Sequence, residues 1–203
     1  MDTPLIRPGV SEDPELLHGQ EANAAVQMAR EWRRALDLLL SRSDVDPEHV
    51  AYVGHSFTAG VGAKLTAVEK RIQSLVLMAN TYSLRDYVYD DKNQEMVDFR
   101  KKVGEPRIQA YFEKLPWEDS APFVRHSSPS AVFLQNGLLD KGIPESTVRK
   151  SFVSFQQPKR LEFYHAGHEL NSAPRTDRAK WLQQRLQLKR LDFRALDAIP
   201  QLR

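Results

Sequence analysis

The chain runs Val50-Ala51-Tyr52-Val53-Gly54-His55-Ser56, an apolar stretch that ends in a serine with a small residue close by. A helical pattern of small residues, Ala59-Gly60-Val61-Gly62-Ala63-Lys64-Leu65, follows at once. A strand, a serine and a helix in this order are typical of a nucleophile elbow, a sharp turn that exposes the serine hydroxyl to a base. We therefore take Ser56 as a candidate nucleophile.

Strand and helix patterns alternate after residue 50. The sequence predicts buried strands at Val50–Val53, Ser74–Ala79, Ala131–Gln135 and Arg160–Tyr164. Helical spacing predicts helices at about 20–41, 91–103, 106–114, 148–155 and 174–189. Continuously apolar strands are typical of strands covered on both faces. The fold class is thus α/β, a mainly parallel sheet flanked by helices, with the carboxyl ends of its strands at one edge.

The length of 203 residues fits one domain, which we assign to 1–203. Within it, we interpret residues 1–20 as an N-terminal loop, 84–128 as an inserted helical and irregular segment, and 190–203 as a C-terminal tail.

Composition restricts the class of protein. The net charge of +2, with 28% charged residues, gives no reason to expect nucleic-acid binding or electrostatic membrane attachment. The chain contains no cysteine, which excludes disulfides and thiolate metal sites. We see neither a transmembrane stretch nor a signal peptide, and so expect a cytoplasmic protein.

Three polar residues follow three of the predicted strands, in the order Ser56, Asp140, His168. A serine hydroxyl is a poor nucleophile until an imidazole takes its proton, and the imidazole needs a carboxylate to fix its tautomer. A parallel sheet brings such residues to one edge. We therefore predict a Ser56–His168–Asp140 catalytic triad.

The other histidines receive less demanding interpretations. We expect His165 to form structural hydrogen bonds and the side chain of His55 to pack away from Ser56. His18, His49 and His126 have the sequence surroundings of loop or surface residues. No histidine pair has a convincing carboxylate at metal-ligand spacing, and Glu169 is interpreted as making local contacts, so we predict no metal and no cofactor.

Three segments resemble the α/β-hydrolase superfamily, within it the group of dienelactone hydrolases and acetyl xylan esterases. They are Val45–Phe57, Phe133–Asp140 with Ile143-Pro144, and Tyr164–Glu169. The resemblance implies Ser56 as nucleophile, Asp140 as acid, His168 as base and the Phe57 N–H as an oxyanion-hole donor. It implies a serine esterase acting on a small-molecule ester. The alternatives are a weakly active or inactive hydrolase-fold protein acting by interaction, and a peptidase or acyltransferase with the same triad.

Two features depart from the family pattern. Thr58 occupies the position of the second elbow glycine, where its bulk is expected to crowd the turn. Only about fifty residues precede Ser56, so we expect the chain to match the C-terminal portion of a longer hydrolase, a truncated α/β-hydrolase fold. The elbow strand would then have an unpaired edge, which we expect residues 1–20 or a second copy of the chain, in a homodimer, to cover.

Overall fold

A computed structural model describes residues 14–114, 116–117, 119–189, 191–192, 194–195 and 198, without the side chains of 14–26 and 114. The first thirteen residues of the predicted N-terminal loop therefore lie outside the described residues. Most of the predicted C-terminal tail lies outside them too. In chain order the elements are α1 (Pro14–Leu40), β1 (Ala51–His55), α2 (Phe57–Val68), β2 (Ser74–Met78), α3 (Leu84–Val88), α4 (Gln94–Val103), α5 (Glu105–Lys114), α6 (Ala121–Val124), β3 (Ala131–Gly137), α7 (Glu145–Ser154), β4 (Lys159–Tyr164) and α8 (Ser172–Arg185).

The four strands form one parallel sheet in the order β1-β2-β3-β4. The predicted α/β class and the predicted strands are thereby confirmed. Because all four strands run the same way, their carboxyl ends meet at one edge of the sheet. The loops after β1, β3 and β4 carry the three predicted site residues to that edge.

Helices pack on both faces of this sheet. A Cβ added to Gly62 of α2 would lie 2.7 Å from Leu77 of β2, so α2 covers the face to which Leu77 points. Val76 and Met78 alternate with Leu77 and therefore point to the opposite face. There they form a core cluster with Trp181 of α8 and Phe133 of β3. The Trp181 indole N–H donates to the Ser74 hydroxyl at 2.9 Å, which fixes α8 against β2.

The prediction that the elbow strand is buried on both faces is wrong. In β1 only Tyr52 and Gly54 are buried, while Val53 between them is 48% exposed. The strand lies at an end of the four-stranded sheet, and α8 covers the neighbouring β2 and β3 instead. An apolar run indicates that its side chains favour burial. A strand is buried on both faces, however, only where other elements cover both of them. That a second copy of the chain covers this edge stays a prediction.

Helix boundaries differ from the predictions, mostly at the amino ends, although α8 also ends at Arg185 and not at the predicted residue 189. Residues 14–20, predicted as loop, belong to α1, which begins at Pro14. Proline is well tolerated in the first helical turn because the N–H that it lacks has no intrahelical partner there, so Pro14 starts the helix. Similarly, α7 begins directly after Pro144. The predicted helices within 84–128 are confirmed as α4 and α5.

Two compact units are distinguished by their internal contacts. One comprises the described residues up to Val45 together with Val88–Asp119, and the other comprises Asp46–Tyr87 together with the described residues from Ser120 onward. In the first unit, the Tyr89 hydroxyl donates to Glu105 at 2.7 Å. The sheet and all the predicted site residues belong to the second unit. The assignment of one domain to 1–203 stays a prediction.

Across the described part of the chain, no helix combines the length and the apolar character that a membrane span requires.

Candidate active site

Ser56 occupies a strained turn between β1 and α2. Its φ is +53° and its ψ is −121°, a left-handed conformation that residues other than glycine rarely adopt. Its N–H donates to the carbonyl of Met78 at 2.8 Å, and its own carbonyl accepts from the N–H of Ala59 at 2.9 Å. The turn is therefore tied both to β2 and to the first turn of α2, which presents the Ser56 side chain at the carboxyl edge of the sheet.

Thr58 fits the turn because its hydroxyl is used within it. The Thr58 Oγ1 accepts from the N–H of His55 at 2.9 Å and donates to the carbonyl of the same residue at 2.9 Å. Glycine could make neither hydrogen bond. The crowding expected from Thr58 is thus offset by a bridge across the elbow.

Tyr52 and Gly54 support the elbow from beneath. The Tyr52 hydroxyl donates to the Thr58 carbonyl at 2.7 Å, and burial raises the pKa of Tyr52 well above its usual value, which keeps this donor protonated. A Cβ added to Gly54 would lie 2.7 Å from the Thr58 carbonyl oxygen and 2.7 Å from the Tyr52 ring. Only glycine lets the strand pass this close to α2.

His168 lies between Ser56 and Asp140. Its Nε2 is 3.0 Å from Ser56 Oγ, and its Nδ1 is 2.7 Å from Asp140 Oδ2. The Asp140 side chain is 3% exposed, whereas that of His168 is 37% exposed. The structure thus brings together the three residues predicted from sequence, with the carboxylate buried and the imidazole open to solvent.

The proton positions follow from the partners of Asp140. Its Oδ1 accepts from the N–H groups of Gly142 at 2.9 Å and Ile143 at 3.2 Å, and its Oδ2 faces His168. A carboxylate only accepts hydrogen bonds, so the proton of a neutral His168 imidazole resides on Nδ1. The Nε2 lone pair is then free to accept the Ser56 hydroxyl proton.

Gly137 allows the acid and base loops to cross closely. A Cβ at this position would lie 2.3 Å from the Ala166 carbonyl oxygen and 2.5 Å from that of Gly167. The N–H of Leu139 donates to the Ala166 carbonyl at 3.0 Å, two residues before His168. The loop that carries Asp140 is therefore fastened directly to the loop that carries His168.

Phe57, the predicted oxyanion-hole donor, is the first residue of α2. The first N–H groups of an α-helix have no partner within the helix, and the helix dipole makes this end positive. The Phe57 N–H directly follows Ser56, and its position suits it to stabilise an anion formed beside that residue.

Two contacts near the site were not predicted from the sequence. The Asn80 Nδ2 donates to the Ser56 carbonyl at 2.9 Å, and its Oδ1 accepts from the Tyr82 N–H at 2.8 Å. The side chain of His55, which we expected to pack away from Ser56, has its Nε2 2.8 Å from the carbonyl oxygen of His168. No local pattern links residues so distant in sequence, so neither contact was predictable.

The three remaining histidines whose side chains are described have other surroundings. His165 is exposed, and its carbonyl accepts from the Asn171 side chain at 3.3 Å, so its structural hydrogen bond involves the backbone. His49 pairs with Asp46 at 2.7 Å, and His126 is exposed. Among the described residues, no cluster of three or more histidine, aspartate or glutamate side chains has the geometry of a metal site.

Comparison with solved structures finds similar folds. Acetyl xylan esterase 1 from Thermoanaerobacterium sp. JW/SL YS485 aligns with a TM-score of 0.64 and 22% identity, covering 91% of this chain and 58% of that chain. The acetyl xylan esterase from Paenibacillus sp. R4 aligns with a TM-score of 0.67 and 19% identity, covering 88% and 58%. The α/β hydrolase GrgF from Penicillium sp. sh18 gives a TM-score of 0.60 and 17% identity, covering 81% and 73%.

The chain thus spans less than two thirds of the length of either esterase. No protein-family model matches the sequence, and no curated protein matches it. At identities of 22% and below, the likeness concerns the three-dimensional arrangement. The parallel sheet, its flanking helices and these structural neighbours establish that the chain has the fold of the α/β hydrolases.

Proposed function

We propose that the chain is a serine hydrolase that cleaves carboxylic esters, with Ser56 as nucleophile, His168 as base and Asp140 as the orienting acid. The main support is the continuous hydrogen-bonded line from Asp140 Oδ2 through both nitrogens of His168 to Ser56 Oγ, at 2.7 and 3.0 Å. That line ends on a strained elbow, the geometry in which a serine is reactive. The structural neighbours include acetyl xylan esterases, which favours esters of small acyl groups such as acetyl as substrates.

Acylation begins when His168 Nε2 takes the Ser56 hydroxyl proton and Ser56 Oγ attacks the ester carbonyl. The resulting oxyanion accepts a hydrogen bond from the Phe57 N–H at the positive end of α2. The tetrahedral intermediate collapses as His168 returns the proton to the leaving alcohol. The products of this half-reaction are the free alcohol and an ester between the acyl group and Ser56.

Deacylation uses the same residues with water as the nucleophile. His168 Nε2 takes a proton from water, and the hydroxide oxygen attacks the acyl carbonyl. Ser56 Oγ leaves and regains its proton from His168, which releases the carboxylic acid. Asp140 stabilises the imidazolium in both halves, and no cofactor enters either step.

Turnover of p-nitrophenyl acetate by the wild type and by Ser56→Ala tests this proposal. We expect the substitution to lower kcat by about 10³-fold or more, since removing the nucleophile disables the triad as a unit. Ser154→Ala is a matched control, because Ser154 is exposed at the end of α7. It should retain the wild-type rate.

Labelling with a fluorophosphonate gives a second readout. Mass spectrometry should find the phosphonyl group on Ser56, and Ser56→Ala should not be labelled. Equal ester turnover by the wild type and Ser56→Ala would refute the proposal, as would labelling at another serine.

A further inference from the structure

His55 is the last residue of β1 and directly precedes the nucleophile. Its Nε2 lies 2.8 Å from the backbone carbonyl oxygen of His168, a residue 113 positions away in the chain. The two imidazole rings also meet edge to face, with centroids 5.0 Å apart and an interplanar angle of 71°. The side chain of His55 therefore contacts both the backbone and the ring of the proposed base.

The direction of this hydrogen bond is fixed by its acceptor. A backbone carbonyl can only accept, so His55 Nε2 must carry a proton and donate. His55 Nε2 is consequently not available to take a proton from Ser56. His168 Nε2 instead lies 3.0 Å from Ser56 Oγ, where it can take that proton.

The loop that carries His168 has anchors of two kinds. On the side of β3, the Leu139 N–H donates to the Ala166 carbonyl at 3.0 Å, and the Asp140 carboxylate accepts from the His168 ring. These contacts fix the base to the acid. The His55 hydrogen bond instead fixes the base loop to β1, independently of the contact between His168 and Ser56 themselves.

The His55 end of this link is itself rigid. The Thr58 hydroxyl bridges the N–H and the carbonyl of His55, at 2.9 Å each. The His55 backbone is thus held within the same turn that carries Ser56. A displacement of the His168 loop would break a hydrogen bond to the elbow even if Ser56 were absent.

We infer that His55 is a positioning residue, which ties the His168 loop to the elbow and so sets the separation between His168 Nε2 and Ser56 Oγ. Its effect on turnover rests on the proposed hydrolase function, whereas its effect on the position of His168 does not. Misplacing a catalytic group by about 1 Å costs about a hundredfold in rate. The predicted consequence is therefore a loss in kcat with little change in KM.

The matched variants His55→Gln and His55→Asn test the link. The two amides differ by one methylene, and the Gln amide reaches the position of the imidazole Nε2 while the Asn amide does not. We expect His55→Gln to keep kcat for p-nitrophenyl acetate within about threefold of wild type, and His55→Asn to lower it by about 10- to 100-fold. His126→Gln is the control, because His126 is exposed in the same unit and should leave kcat unchanged.

A readout without turnover separates the two proposals. In a Ser56→Ala background, the proton of His168 Nδ1 in its hydrogen bond to Asp140 can be followed as a low-field NMR signal, assigned by its loss in Asp140→Ala. We expect His55→Asn to speed its exchange with water by about tenfold, because a misplaced ring holds its hydrogen bond less well. His55→Gln should exchange as slowly as the parent.

The positioning role would be overturned if His55→Asn kept the wild-type kcat and did not speed the exchange of the His168 Nδ1 proton in the Ser56→Ala background. Equal losses of kcat in His55→Asn and His55→Gln would overturn it too, because the imidazole ring itself, and not its Nε2–H donor, would then be required. Absence of ester turnover in the wild type would refute the hydrolase proposal alone, and the exchange rates would still decide the role of His55.

Discussion

The strands β1 and β3 look alike in sequence and differ in their surroundings. Both are apolar runs that lead to a site residue, Ser56 and Asp140 respectively. All seven residues of β3 are buried, whereas in β1 burial alternates and Val53 is 48% exposed. The difference arises because β3 has strand neighbours on both sides and contacts both α7 and α8, whereas β1 has a single strand neighbour among the described residues.

This contrast shows that β1 has two unequal faces. The face of Tyr52 and Gly54 packs against α2 and supports the elbow. The other face carries Val53, which pairs in register with the fully buried Val76 yet is itself half covered. We therefore expect substitutions to destabilise the protein at every position of β3, but on only one face of β1.

The largest effect should come from Phe133→Ala in the centre of β3. Phe133 is fully buried, and its ring lies 5.3 Å from that of Trp181, with the Arg160 guanidinium 4.6 Å from its centroid. Truncation should lower the free energy of unfolding by about 3–5 kcal/mol, measured by urea denaturation. Phe99→Ala, at a 42% exposed position in α4, should cost about 1 kcal/mol or less. Similar losses of unfolding free energy in the two variants would contradict the interpretation that β3 forms the centre of the core.

An intermediate effect is expected on the packed face of β1. In Gly54→Ala, the new methyl group would meet backbone atoms of Thr58 at 2.7–2.8 Å, which cannot move without shifting α2. The free energy of unfolding should fall by about 1–3 kcal/mol. A Cβ at Gly167 meets no atom within 4 Å, so Gly167→Ala should change stability by about 0.5 kcal/mol or less. If Gly54→Ala proved as mild as Gly167→Ala in the same denaturation, the close packing of β1 on α2 would be refuted.

Much of the site's layout could be predicted from the chain order of its residues. Strands that run parallel bring their following loops to one edge, so Ser56, Asp140 and His168 could be expected to meet there without any knowledge of distances. The elbow was recognisable because strand, serine and helix are contiguous in sequence. These features depend on local pattern and on a topology with few alternatives.

Features that depend on unrelated segments were not predictable in this way. The contact of His55 with the His168 carbonyl joins two loops 113 residues apart. The hydrogen bonds of Thr58 were not predicted, because the bulk of a side chain is visible in sequence while the partners of its hydroxyl are set by the turn. The exposure of Val53 depends on which elements cover β1, a property of the whole sheet.

The smallest effect should come from the open face of β1, where Val53→Thr replaces a methyl group by a hydroxyl of similar size. At 48% exposure the hydroxyl can reach water, so we expect the free energy of unfolding to change by about 0.5 kcal/mol or less. Val132→Thr makes the same change in β3, where Val132 is fully buried, and should cost about 1–3 kcal/mol because the hydroxyl is desolvated. Equal costs at both positions in urea denaturation would mean that Val53 is covered in solution. A cost at Val53 that grows with protein concentration would identify the cover as a second copy of the chain, because only association makes stability depend on concentration.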